Sequence, residues 1–119
     1  MQNYKTLSVW HKSHRLVLET YELTAKYPKT EQYGLTSQMR RAAVSAPANI
    51  AEGCSRDSAA DFVNFLRIAV GSINELEYYF ILSGELGLLT DDSAVLLGEK
   101  ALEIKKMLIN LIKKVRASQ

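Results

Sequence analysis

The side chains of this 119-residue sequence that could do chemistry are few, and their spacing supports little of it. His11 and His14 are the only histidines. Three apart on a helix they could share one metal ion, but no third ligand is visible. A carboxylate-bridged di-iron bundle needs a glutamate three residues before each histidine, and neither has one. Ser45 and Cys54 have no histidine near them in sequence to activate a nucleophile. Gly84-Glu85-Leu86-Gly87 reads as the end of a helix rather than a phosphate loop. Glu75 and Glu77 flank Leu76 and point to different sides of a helix, so one is expected in solvent and the other against an arginine such as Arg40 or Arg67. No catalytic residue, cofactor, metal or small-molecule substrate is expected. The chain reads as non-enzymatic.

Basic side chains remain. Lys12, Arg15, Arg40, Arg41 and Arg56 fall in the first two helical segments, with Lys113, Lys114 and Arg116 near the end of the chain. The formal net charge is only +2, so one copy carries no strong overall field. If copies assemble into a ring, the same stripe repeats around an axis and can hold a phosphate backbone without any motif. The five named residues are the candidate nucleic-acid contacts, with Arg40 off the polar stripe and turned toward a neighbouring helix.

Four helical patterns position these groups. From about Leu7 to Tyr27, Val9, Trp10, Ser13, Leu16, Val17, Thr20, Tyr21, Leu23 and Thr24 recur at helical steps, and Pro28 stops the run. From about Leu35 to Cys54, Leu35, Met39, Ala42, Ala43, Ala46, Ile50 and Cys54 form a small-residue seam. Gln38, Arg41, Ser45, Asn49, Glu52 and Arg56 form a polar stripe beside it. Pro47 lies inside this helix, where it removes the hydrogen bond to the Ala43 carbonyl and predicts a bend. Asn49 and Glu52 are the expected partners of the freed backbone groups. Gly53 helps the break over Ser55 to Asp57, and Ser58 caps a third helix with Asp61 three residues on.

Phe62, Phe65, Leu66, Ala69, Ile73, Leu76 and Phe80 give the third core stripe. Tyr78 to Leu82 is apolar or aromatic all round, so Tyr78, Tyr79, Ile81 and Leu82 are expected at a subunit interface. Gly84 and Gly87 stop this helix and Thr90 caps the fourth, whose seam is Leu97, Ala101, Ile104, Leu108, Leu111 and Val115. The expected fold is all-α: one domain, 1–119, an antiparallel up-down-up-down four-helix bundle. Cys54 cannot pair within the chain and lies on an apolar face, which fits a reducing compartment. With no leader pattern and no apolar run of membrane-spanning length, a cytoplasmic protein with no membrane partner is expected.

Several blocks carry a resemblance: Val9-Trp10; Pro28, Glu31 and Tyr33-Gly34-Leu35; then Gln38-Met39-Arg40-Arg41-Ala42-Ala43-Val44-Ser45, Pro47-Ala48-Asn49-Ile50-Ala51-Glu52-Gly53 and Arg56. Phe62, Phe65-Leu66, Ile68-Ala69, Gly71-Ser72 and Glu75-Leu76-Glu77 extend it. Together they resemble the bacterial four-helix-bundle family encoded by intervening sequences within large-subunit ribosomal RNA genes. The accessory protein of diversity-generating retroelements is similar. The resemblance covers nearly the whole chain, with Ala46 where many relatives carry a larger aliphatic residue. It implies an antiparallel bundle, a homopentameric ring, a role in binding nucleic acid or a ribonucleoprotein, and no catalysis; Trp10, Pro47, Asn49, Glu52 and Gly53 are expected to be structural. The rival reading is a protein-binding scaffold or accessory subunit, whose arginines pair with Glu31, Glu52, Glu75 or Glu77 and touch no nucleic acid.

Overall fold

Helix-ending signals set the architecture. In a computed structural model, which describes residues 2–119, the chain folds as α1 (Ser8–Thr24), α2 (Leu35–Cys54), α3 (Ala59–Glu85) and α4 (Asp91–Ala117), with no strand among the described residues. α1 ends three residues before Tyr27. Ahead of Pro28 the last turn tightens, Lys26 and Tyr27 donating to the Leu23 and Thr24 carbonyls at 3.2 and 3.0 Å. Ser58 Oγ accepts from the Asp61 amide and Thr90 Oγ1 from the Ser93 amide, the two expected caps.

Of the two glycines expected to stop α3, only Gly87 adopts the left-handed conformation, at φ +75°. The Leu88 amide then closes back on the Ser83 carbonyl at 2.9 Å. Gly84 lies within α3, where a Cβ would stand 3.0 Å from that of Ala94. Its role is close helix approach.

α1 packs on α2 and α4, α3 packs on the same two, and α1 and α3 are diagonal. The result is an antiparallel bundle of 47 × 24 × 19 Å. Every residue of the α2 seam is buried, from Leu35 to Cys54. In α4 the seam runs Leu97, Ala101, Ile104, Leu108 and then Ile112, while Leu111 and Val115 pack only partly. A straight helix at 3.6 residues per turn drifts off a strict seven-residue repeat, which passes the last position to Ile112.

α2 continues unbroken across Pro47, whose ring is buried. Asn49 Nδ2 donates to the Ser45 carbonyl at 2.8 Å and to Ser45 Oγ at 3.0 Å, rather than to the Ala43 carbonyl. Ser45 Oγ also lies 2.7 Å from Ser72 Oγ, so the amide secures the α2–α3 contact. Glu52 serves no freed carbonyl either, because a carboxylate has no proton to offer one. It accepts from Ser55 Oγ and pairs with Arg56. Gly53 lets α3 approach: a Cβ there would come within 2.9 Å of both Phe62 Cδ1 and Phe65 Cβ.

Candidate nucleic-acid interface

Antiparallel folding sorts charge along the bundle. One end gathers the start of α1, the end of α2, the start of α3 and the end of α4, with the Gln2 amide bonded to the Cys54 carbonyl at 3.0 Å. Dividing each helix at its midpoint, this half holds ten lysines and arginines against three carboxylates, Glu52, Asp57 and Asp61. The other half holds five basic residues against ten carboxylates. A chain of net charge +2 is thus strongly positive at one end and negative at the other. Such an end attracts polyanions when the molecule as a whole does not.

The five candidate contacts do not converge. Lys12, Arg15 and Arg56 lie in the basic half. Lys12 Nζ sits 3.1 Å from Glu103 Oε1, and Arg56 pairs with Glu52 at 3.4 Å while its guanidinium lies over the Phe65 ring. Both pairs are solvent-exposed, so a phosphate can replace either carboxylate at little cost. Arg40 and Arg41 lie toward the acidic end. Arg40 does turn toward a neighbouring helix: Nε donates to Thr24 Oγ1 at 2.9 Å and the guanidinium covers the Tyr21 ring at 4.5 Å. Arg41 is exposed in the groove between α1 and α2.

Lys5, Arg67, Lys105 and Lys106 also belong to the basic half, with Lys113, Lys114 and Arg116 at its tip. Lys105, Lys106, Lys113, Lys114 and Arg116 show in the sequence as a cluster in the second half of the fourth helix, whereas Lys5 and Arg67 carry no such signal. Trp10 anchors this end, Tyr4 tilted against it and His14 stacked on it with centroids 5.1 Å apart. His11 Nε2 donates to the Lys5 carbonyl at 2.7 Å. No group of three or more His, Cys, Asp or Glu side chains is placed to hold a metal among the described residues. Cys54 is buried, and that burial pushes its thiol pKa up, away from the reactive thiolate.

The aromatic run of α3 is split by its surroundings. Tyr78 and Ile81 are exposed, Phe80 is fully buried, and Tyr79 and Leu82 pack partly against the core. Tyr79 donates to Glu75 Oε2 at 2.7 Å, which holds its phenol proton more tightly. Glu77 meets Lys105 of α4 at 3.4 Å instead of an arginine, because its side of α3 faces α4. No helix among the described residues is long and apolar enough to cross a membrane.

Comparison with known proteins gives this architecture a family. The profile described as 23S rRNA-intervening sequence protein matches residues 5–110. No curated protein matches the chain. A crystal structure of a protein with unknown function from the S23 ribosomal protein family of Bacteroides thetaiotaomicron VPI-5482 superposes with a TM-score of 0.79. It is 30% identical, over 88% of this chain and 98% of that one. The four-helix bundle, with its small-residue α2 seam running through Pro47, belongs to the 23S rRNA-intervening sequence protein family.

Proposed function

We propose that this protein is a non-enzymatic, ring-forming homo-oligomer, a pentamer by family resemblance, whose basic end engages structured RNA or a ribonucleoprotein. The observation that carries the reading is the charge polarity of the bundle. Ten basic residues at one end supply phosphate contacts that need no base-reading motif. A non-enzymatic role fits the engagement of both histidines at Trp10 and Lys5 and the burial of Cys54. Assembly fits the exposed apolar side chains on α3 and α4, Tyr78, Ile81, Val95, Leu102 and Ile109 among them.

Fluorescence anisotropy with two unrelated RNA hairpins at low salt tests the reading. Lys113→Glu with Lys114→Glu should weaken both complexes on the order of tenfold and about equally, since phosphate contacts position without reading sequence. Lys26→Glu, in the acidic half, should change neither. Absence of wild-type binding would shift the reading to a protein-binding scaffold, which the ion pairs Lys12–Glu103 and Arg56–Glu52 favour.

A further inference from the structure

The two faces made by α1/α2 and by α3/α4 are opposite sides of the bundle, because α1 and α3 sit on its diagonal. Each carries a groove, and their chemistries are complementary. The α1/α2 groove, about 580 Å³, is lined by Arg40 and Arg41 with no carboxylate, beside Tyr21, Tyr33 and Val44. Tyr33 is 91% exposed. The α3/α4 groove, about 350 Å³, is lined by Glu85, Asp91 and the Lys105-paired Glu77 with no lysine or arginine, around Ile81 and Val95. Val95 is 62% exposed.

Gly98 lies in the lining of the α3/α4 groove. It sits inside the continuous α4, where glycine weakens a helix. A Cβ there would meet nothing within 4 Å, so packing inside this chain does not require its absence. The bare backbone leaves room for a visitor.

Height along the bundle decides how the grooves can meet. The first is built from the end of α1 and the first half of α2, the second from the end of α3 and the start of α4. Both therefore lie toward the acidic end. The geometry points to a head-to-tail contact in which the α3/α4 groove of one copy seats on the α1/α2 groove of the next, carboxylates against arginines and Ile81 and Val95 against Tyr21, Tyr33 and Val44. This inference rests on the oligomeric reading above and names its two surfaces. With copies standing parallel, such a heterologous contact at equal height sets them side by side, and it closes a ring where the two faces are inclined to each other rather than diametrically opposed. All basic ends then share one rim.

Complementing variants test this. Val44→Glu places a carboxylate opposite the acidic groove, and Val95→Lys places an ammonium opposite the arginines. Both positions are exposed, and circular dichroism should report unchanged helix content. By light scattering each variant alone should fall to the 13.4 kDa chain, and a one-to-one mixture should form a heterodimer or larger species through its one intact surface pair. A wild-type monomer would refute the oligomeric reading itself. A wild-type oligomer that either variant preserves, or two variants that stay apart on mixing, would overturn the surfaces alone. Val44→Glu rings that stay intact but lose RNA affinity would reassign the α1/α2 groove to nucleic acid, against this inference.

Discussion

Gly53→Ala should destabilise the protein even though alanine is the better helix former. Gly53 lies in the last turn of α2, where replacing glycine relieves at most ~1 kcal/mol of helix cost. The new Cβ would stand 2.9 Å from Phe62 Cδ1 and 2.9 Å from Phe65 Cβ, whereas ordinary contact begins at 3.4 Å. A ring edge can turn away. The Cβ of Phe65 moves only with the α3 backbone, so the start of α3 must retreat by about half an ångström, and overpacking of that kind costs roughly 1–3 kcal/mol. The net loss is about 1–2 kcal/mol, or a fall in Tm of roughly 5–10 °C at this chain length. Gly71→Ala, inside α3 and outside both grooves, is the internal control: a Cβ there meets nothing within 4 Å, and the change should gain up to ~1 kcal/mol. Thermal melts by circular dichroism, at one fixed concentration because assembly also stabilises, read both. A Gly53→Ala protein melting at or above wild type would refute the close-approach reasoning.

Arg40→Ala should cost about 1–2 kcal/mol in guanidinium unfolding, since it removes the bond to Thr24 and the stacking on Tyr21, and Arg40→Lys should recover only part of it. Ala43→Leu places three extra carbons in a 2%-exposed position of the α2 seam and should cost roughly 1–3 kcal/mol by the same measurement. Alkali should weaken the fold. Burial raises the pKa values of Cys54 and Tyr27 above 9.0 and 10.0, and the hydrogen bond to Glu75 raises that of Tyr79 above 10.0. The folded chain thus keeps protons that the unfolded one releases as pH climbs through 9 and 10, so the denaturation midpoint should be lower at pH 10 than at pH 7.5. An equal or higher midpoint would contradict that sign.

Helix existence was legible because local signals agreed. The α2 bounds Leu35 and Cys54 follow from a seam interrupted only at its ends, and Ser58 and Thr90 announced their helices by capping chemistry. Partners across helices were harder to read. Arg40 shows its inward turn in the pattern, but nothing in one dimension ties Glu77 to Lys105 or Asn49 to Ser45. The charge polarity is only partly legible: Lys105, Lys106, Lys113, Lys114 and Arg116 already cluster in the sequence, but Lys5, Lys12, Arg15, Arg56 and Arg67 are scattered, and only antiparallel pairing brings them to the same end. For the same reason Arg40 and Arg41, close to Arg56 in sequence, end up away from the basic half.

The salt dependence of RNA binding tests the central claim most directly. Each phosphate neutralised releases condensed counterions, so log affinity should fall linearly with log salt. Changing Lys113→Gln together with Lys114→Gln should flatten that slope by about 2, one unit per lost phosphate contact, while Lys26→Gln leaves it unchanged. A wild-type affinity indifferent to salt, or a slope reduced by Lys26→Gln and untouched by the double change, would contradict binding through the basic end.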